Sequence, residues 1–182
     1  MYPAIYIDTE FTDVFRPELL SVGMVTFDAQ EHYVELDLGD PASANTLRGA
    51  SGFVQENDVL SQWGRVPGAA STREQMAVRT ARWLLEQTTR FGQPAHIAFD
   101  FAADYQLLEG LLRDSGKWEV LSQMLRPLDV GEASSRFDGV LGASVGYEFA
   151  SRRGLERHHA LADAHALRAA CYAINTGRRL KF

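Results

Sequence analysis

The chain has 182 residues, 46% of them hydrophobic, enough to bury one sizeable core, so one domain over residues 1–182 is expected. No apolar run approaches the ~20 residues that span a bilayer, no basic-apolar-small pattern opens the chain, and the single cysteine, Cys171, excludes an internal disulfide and a thiolate zinc cage; a cytoplasmic protein without a membrane partner fits best. The net charge of −6 argues at first against a nucleic-acid partner, yet residues 151–182 hold seven Lys/Arg and only two acids, an asymmetry that suits either a polyanionic substrate or a solvated helix with a basic tail.

The run Tyr2-Pro3-Ala4-Ile5-Tyr6-Ile7 predicts a first strand over residues 2–8. Side chains two apart on a strand share a face, so Asp8 and Glu10 converge at its end while Thr9 turns away. Paired acids repel one another and persist where a cation lies between them, and a divalent metal is the usual candidate. Two more strands follow, Leu20 to Phe27 and His32 to Leu38, in an antiparallel meander. Gly39 to Ala70, rich in Gly, Ser, Pro and Asn, reads as a long irregular connection with a short helix around Glu56–Trp63.

Ser71-Thr72-Arg73-Glu74 fits a capping box opening a helix to about Arg90, with Met76, Ala77, Ala81, Leu84 and Leu85 on its apolar side. His96 to Phe99 reads as a buried strand. Asp104 to Arg113 reads as a helix stopped by Gly116, and Met124 to Val130 as a further strand. Gly131 to Gly146, with its glycines and serines, reads as loop. A last helix from Ala160 to Asn175 carries the stripe Ala160, Ala164, Leu167, Cys171 and Ile174, with Gly177 as its stop. The order β-β-β-α-β-α-β-α places the chain among α/β folds with a mixed sheet flanked by helices.

Acids thus fall at the ends of three elements: Asp8-Thr9-Glu10, Asp100 to Asp104, and His158-His159 to Asp163. Each has an ordinary alternative. Asp104 could cap a helix, and Asp163 could complement a helix dipole in the first turn. Their combination and order carry the argument.

In that combination the chain resembles the DEDD superfamily of 3′→5′ exonucleases, which includes oligoribonuclease, ribonuclease T and polymerase proofreading domains. Asp8-Thr9-Glu10-Phe11 matches the first motif. Leu19 to Val25 looks like the second-strand sequence that follows it. Phe99 to Leu108 is similar to the second motif, and His158 to Asp163 has the H-x-x-x-x-D spacing of the histidine branch, DEDDh.

The resemblance implies a ribonuclease H-like fold in which Asp8, Glu10, Asp104 and Asp163 hold two divalent cations, Mg²⁺ or Mn²⁺, and His158 is the general base. It also implies that Thr9 and Phe11 contact the terminal nucleotide, Phe11 as a wedge or stacking platform; a core position is the alternative for Phe11. Asp100 stands where the family often has Asn, as a supporting group or alternate ligand. His159, four residues before Asp163, is the rival base. His165 lies about 200° round the helix from Asp163 and is expected at the surface. Trp63 could stack on a base or anchor its own loop, while Trp83, Trp118 and Cys171 are expected to pack.

The chemistry suits these residue types. Hard divalent ions prefer oxygen ligands. Two of them about 4 Å apart can clamp the attacking and leaving oxygens of a phosphodiester. The expected activity is removal of nucleoside 5′-monophosphates from single-stranded 3′ ends, with RNA favoured over DNA and a homodimer expected by analogy with small stand-alone members. A ribonuclease H-like endonuclease and a non-catalytic nucleic-acid-binding module on the same scaffold are the alternatives.

Overall fold

The computed structural model describes residues 3–56 and 59–179. The expected strand start at Tyr2, part of the expected helix around Glu56–Trp63, and Lys181 of the basic tail lie outside them. Strand β1 (Ala4–Phe11) runs three residues further than its apolar start predicts, so Glu10 as well as Asp8 sits within the strand. Its alternation is strict: Ile5, Ile7 and Thr9 are buried on one face, and Tyr6, Asp8 and Glu10 lie on the other.

β2 (Leu19–Thr26) and β3 (Glu31–Leu36) complete the expected meander. With β4 (Ala70–Ser71), β5 (Ala95–Phe99) and β6 (Leu125–Asp129) they form a six-stranded sheet in the order β4-β3-β2-β1-β5-β6. β2 is antiparallel to both β1 and β3, whereas β3–β4, β1–β5 and β5–β6 are parallel. The chain is therefore α/β with a mixed sheet flanked by helices.

The connection from Gly39 to Ala70 is more ordered than its composition predicts. It contains α1 (Pro41–Arg48), α2 (Gly52–Glu56) and a 3-10 turn (Leu60–Gln62). Asp40 caps α1, accepting from Ser43 N at 3.0 Å, and a proline opens the helix, two start signals inside a segment that reads as coil. Trp63 anchors this stretch by donating its indole N–H to Leu36 O at 2.8 Å.

One face of the sheet carries the larger core. Ile5, Ile7, Leu20, Val22, Met24 and Ile97 pack against α3 (Arg73–Phe91), α4 (Ala102–Asp114) and α5 (Trp118–Met124). The capping box of α3 sits one residue later than Ser71-Glu74 predicts. Thr72 Oγ1 accepts from Gln75 N at 3.3 Å and Thr72 N donates to Gln75 Oε1 at 3.1 Å, while Ser71 belongs to β4. Trp83 and Trp118 pack at the edge of this core.

The other face is covered by α8 (Ala160–Arg179), itself packed against α7 (Phe137–Ser151), with α6 (Gly131–Ser134) leading in. These helices correct two expectations. Gly131 to Gly146 is mostly helix rather than loop, and α8 runs through Gly177 instead of stopping there. The glycines serve close packing. A Cβ on Gly142 would lie 2.6 Å from Ala169 O, and one on Gly146 would lie 2.6 Å from Ala166 Cα. The two helices meet backbone to backbone along a seam of small residues.

His165 is the third correction. It is buried, its Nε2 2.8 Å from Glu31 Oε1 and its ring 4.9 Å from that of Phe149. The side of α8 away from Asp163 is covered too, by β3 and α7, so a turn of the helix does not bring His165 to solvent. Arg153 closes on the same carboxylate with a bidentate pair.

Two predictions follow from this packing. Gly146→Ala should destabilise the protein by about 1–3 kcal/mol, because the added methyl meets backbone that cannot step aside. Gly110→Ala, in α4 where a Cβ meets nothing within 4 Å, should stabilise it by about 0.5–1 kcal/mol through helix propensity. Denaturant unfolding of the two variants checks both signs.

His32 stacks on Trp83 at 5.3 Å with Nε2 3.0 Å from Thr80 Oγ1, and burial, with Arg79 nearby, pushes its pKa down to about 3. The folded state therefore refuses a proton that the unfolded chain accepts, so stability is lost as pH falls from about 6.5 towards 3. His32→Phe should be less stable at pH 7, where Thr80 loses its partner, but should lose less stability between pH 6.5 and 4.

Candidate functional site

The site forms at the carboxyl edge of two neighbouring parallel strands. β1 delivers Asp8 and Glu10 on the α8 side of the sheet, and β5 ends beside it, so Asp100 immediately after Phe99 points into the same region. Asp104, in the first turn of α4, comes in from the opposite layer. It is fixed by Thr9, whose backbone N–H and hydroxyl both donate to Asp104 Oδ1, at 3.1 and 2.6 Å. Thr9 is buried with its hydroxyl committed to Asp104. Thr9 thereby positions the Asp104 carboxylate.

Asp163 enters from the first turn of α8, and Gly23 lets it. Gly23 pairs with Asp8 across the β1–β2 ladder, and a Cβ there would fall 2.2 Å from Ala160 C and 2.4 Å from Leu161 N. The start of α8 thus rests directly on β2, one strand from Asp8. Asp163 Oδ2 accepts the backbone N–H of His158 at 3.0 Å, and the Tyr147 side chain of α7 lies near enough to oppose the rise of its pKa.

The ligand atoms gather in two groups. Asp8, Asp100 and Asp104 each place a carboxylate oxygen within 4.8 Å of the others, and Glu10, His158 and Asp163 do the same with two carboxylates and an imidazole. Asp100 therefore stands among the candidate ligands rather than behind them. Asp8 and Asp100 of one group and His158 and Asp163 of the other line a cleft of about 660 Å³, together with Ser134, Ser135, Ser144, Tyr147 and Arg157.

His158 and His159 separate clearly. His159 is buried, stacked on Tyr33 at 4.4 Å, with Nδ1 accepting from Leu161 N at 3.2 Å; burial pushes its pKa down to about 4. It is a packing residue. His158 faces the cleft from a left-handed backbone position, φ 65°, which is uncommon for a residue with a Cβ and costs on the order of 1 kcal/mol or more.

So many acids so close cannot all ionise without a counter-charge. Burial, and then repulsion from Asp163 and Asp104, pushes Glu10 up to about 8. Burial likewise lifts Asp104 to about 7 against the pull of the Thr9 hydrogen bonds. Asp8, surrounded by all the others, is raised well above the usual carboxylate range by burial and by Asp163, Asp104, Glu10 and Asp100 in turn. Asp163 is raised by burial, with Tyr147 and His158 opposing.

The donor set fits a hard divalent cation. It consists of carboxylate oxygens with one imidazole, and two of those oxygens, Asp104 Oδ2 and Asp163 Oδ1, are buried without a hydrogen-bond partner among the described residues. A buried carboxylate oxygen left without a donor is costly, and a cation is the partner the chemistry supplies.

Phe11 is half-buried and stacks with Phe101 rather than entering the core, and Cys171 is buried in α8 as expected. Tyr147 and Arg157 are the site residues that sequence reasoning missed. The signal for Tyr147 was available: it follows Gly146 in a segment whose glycines recur at helical spacing, which places it beside the α8 seam. No helix among the described residues is long and apolar enough to cross a membrane. No protein-family model matches the chain, and no curated protein is significantly similar to it in sequence.

If these carboxylates hold cations, metal should stabilise the fold by linkage. At a hundred times Kd the gain is about 2.7 kcal/mol, or roughly 5–10 °C in Tm for a chain of this size. Mn²⁺ or Mg²⁺ added to chelator-treated protein should produce that rise in a thermal melt. Asp104→Asn should leave the metal-free protein at least as stable, since it relieves repulsion, and should shrink the metal-dependent rise.

Proposed function

We propose that this chain is a metal-dependent 3′→5′ exonuclease with a ribonuclease H-like fold, releasing nucleoside 5′-monophosphates from single-stranded ends, RNA in preference to DNA. The observation that carries the reading is the meeting of Asp8, Glu10, Asp104, Asp163 and His158, from three separate stretches of chain, in two adjoining groups of ligand atoms, with two buried carboxylate oxygens lacking donors among the described residues. The sheet supports the fold assignment: within β3-β2-β1-β5-β6 only β2 runs against the rest.

In this reading Asp8, Asp100 and Asp104 would hold one ion, and Glu10 and Asp163 a second. Bound there, such ions supply positive charge to a phosphodiester and lower the pKa of water. The remaining work falls to the chain. His158 sits beside Glu10 and Asp163, where an imidazole can take the proton from the attacking water. Its backbone N–H holds the Asp163 carboxylate in one orientation. Arg157, on the cleft wall, offers a cation to the phosphates of the strand. A homodimer goes with the reading, and the exposed Phe137, Leu141, Val145 and Phe149 of α7 are a surface that would support it.

Incubation of a 5′-labelled single strand with Mn²⁺ should give a ladder shortening from the 3′ end. Discrete internal products, or cutting of a circle, would make the chain an endonuclease, and no cleavage of any strand would leave a binding module. Asp8→Ala and Asp163→Ala should abolish turnover with the fold retained. His158→Ala should lower kcat by roughly 10²–10⁴, while His159→Ala should act through stability; loss of turnover in a well-folded His159→Ala would reverse the assignment of the base.

A further inference from the structure

We infer that Gln62 is a positioning residue for His158, acting through the peptide group that joins Arg157 to His158. This rests on the nuclease reading for what His158 does and adds what holds it in place. Gln62 ends the 3-10 turn, far in sequence from both groups of acids, and is only 2% exposed. Both ends of its side-chain amide bond to backbone. Glu156 N donates to Gln62 Oε1 at 2.8 Å, and Gln62 Nε2 donates to Arg157 O at 2.7 Å.

These two bonds bracket the backbone torsions of Glu156 and Arg157, so the amide fixes the path of the chain into His158. The second bond matters more. The Arg157 C=O and the His158 N–H belong to one planar peptide unit and point from its opposite edges. Gln62 grips the carbonyl edge, and Asp163 Oδ2 accepts from the N–H edge at 3.0 Å. A plane held at both edges cannot rotate, and the residue it leads into is His158, at φ 65°. Without that grip the backbone relaxes towards a more populated conformation and carries the imidazole away from Glu10 and Asp163.

The turn that presents Gln62 is itself fastened to β3. Trp63 donates to Leu36 O, and Gly64 N donates to Glu35 Oε1 at 2.9 Å. Glu35 is buried, and its other oxygen accepts from the Tyr33 hydroxyl at 2.8 Å. Arg65 adds a second grip on the same loop, donating to Gly154 O at 2.6 Å. A packing role alone would suit an apolar side chain of the same length, because burying an amide is unfavourable unless its donor and acceptor are paired. Here the loop that carries His158 supplies the partners.

The test compares wild type with Gln62→Met, which keeps the length and removes the amide, and with Leu84→Val, which weakens the core of the opposite layer and leaves the clamp intact. Thermal melts set a temperature at which each is folded. Amide hydrogen exchange is read first, because it needs no substrate. In Gln62→Met the His158 amide, which bonds to Asp163 and not to Gln62, should exchange roughly 2- to 10-fold faster, together with that of Glu156. Leu84→Val should leave both at the wild-type rate. In wild type the Gln62 side-chain amide and the His158 amide should share one protection factor and one response to denaturant, a measurement that holds even if Gln62→Met does not fold.

Turnover of a single strand in Mn²⁺ is read second. Gln62→Met should lower kcat by roughly 10- to 100-fold, with KM changed by less than about threefold. The same substitution should cost less than about threefold in kcat when His158 is already alanine, and Leu84→Val should keep the wild-type kcat. Unchanged exchange at His158 in a folded Gln62→Met, or unequal protection of the two amides in wild type, overturns the clamp. So does an equal loss of kcat with and without the His158 imidazole, which would mark an effect through stability. If wild type cleaves no strand, the nuclease reading falls and the exchange rates alone decide: faster exchange at His158 in Gln62→Met upholds the clamp, and unchanged exchange overturns it.

Discussion

Mutual repulsion among buried carboxylates is the constraint around which the structure is arranged. Desolvation alone raises the pKa of each of these acids, and proximity adds to it, so the protein holds at its centre a cluster that opposes its own ionisation. A fold tolerates such a cluster only if the surroundings over-determine it. Here β1 lies in the interior of the sheet, Thr9 fixes Asp104 through two hydrogen bonds, and the backbone of His158 fixes Asp163. Little of this support comes from opposite charge. Most of it comes from neutral donors, which orient an oxygen without cancelling its capacity to bind a cation.

The two helical layers have different tasks in that arrangement. The layer of α3, α4 and α5 supplies the larger apolar core and sends only Asp104 across to the site. The layer of α7 and α8 buries fewer large side chains and carries most of the chemistry, with Asp163, His158 just before α8, Tyr147 and Arg157 all on or beside it. Close approach compensates for its smaller side chains. Gly23 seats α8 on the sheet, and Gly142 and Gly146 seat α7 on α8. Dispersion contacts between backbones take the place of interdigitating side chains.

Much of this was legible in the sequence where a single periodicity dominated. The alternation of Ile5, Ile7 and Thr9 against Asp8 and Glu10 placed both acids on one face, and the apolar stripe of α3 came out almost residue for residue. Where two local signals competed, reading by pattern slipped. Ser71 with Glu74 and Thr72 with Gln75 are both plausible caps one residue apart, and only the pairing of Ser71 into the sheet decides between them. Glycine was the larger source of error. In Gly139, Gly142 and Gly146 its abundance read as loop, although the spacing of three and four residues marks one face of a helix. His165 was misplaced because amphipathic reasoning assigns a helix one buried side, whereas α8 is sandwiched between the sheet and α7. Arg157 joins the site through tertiary approach, which no local pattern encodes.

The seam between α7 and α8 has one more consequence. Because the facing atoms are main chain, the span between the cleft wall and the carboxylates cannot be adjusted by swinging a side chain into another rotamer. Any widening must come from one helix sliding along the other as a stiff rod, a shear motion that shifts Tyr147 relative to Asp163 at the same time. Aperture and carboxylate orientation are therefore a single mechanical coordinate, and anything bulky enough to force the gap would also shift Asp163.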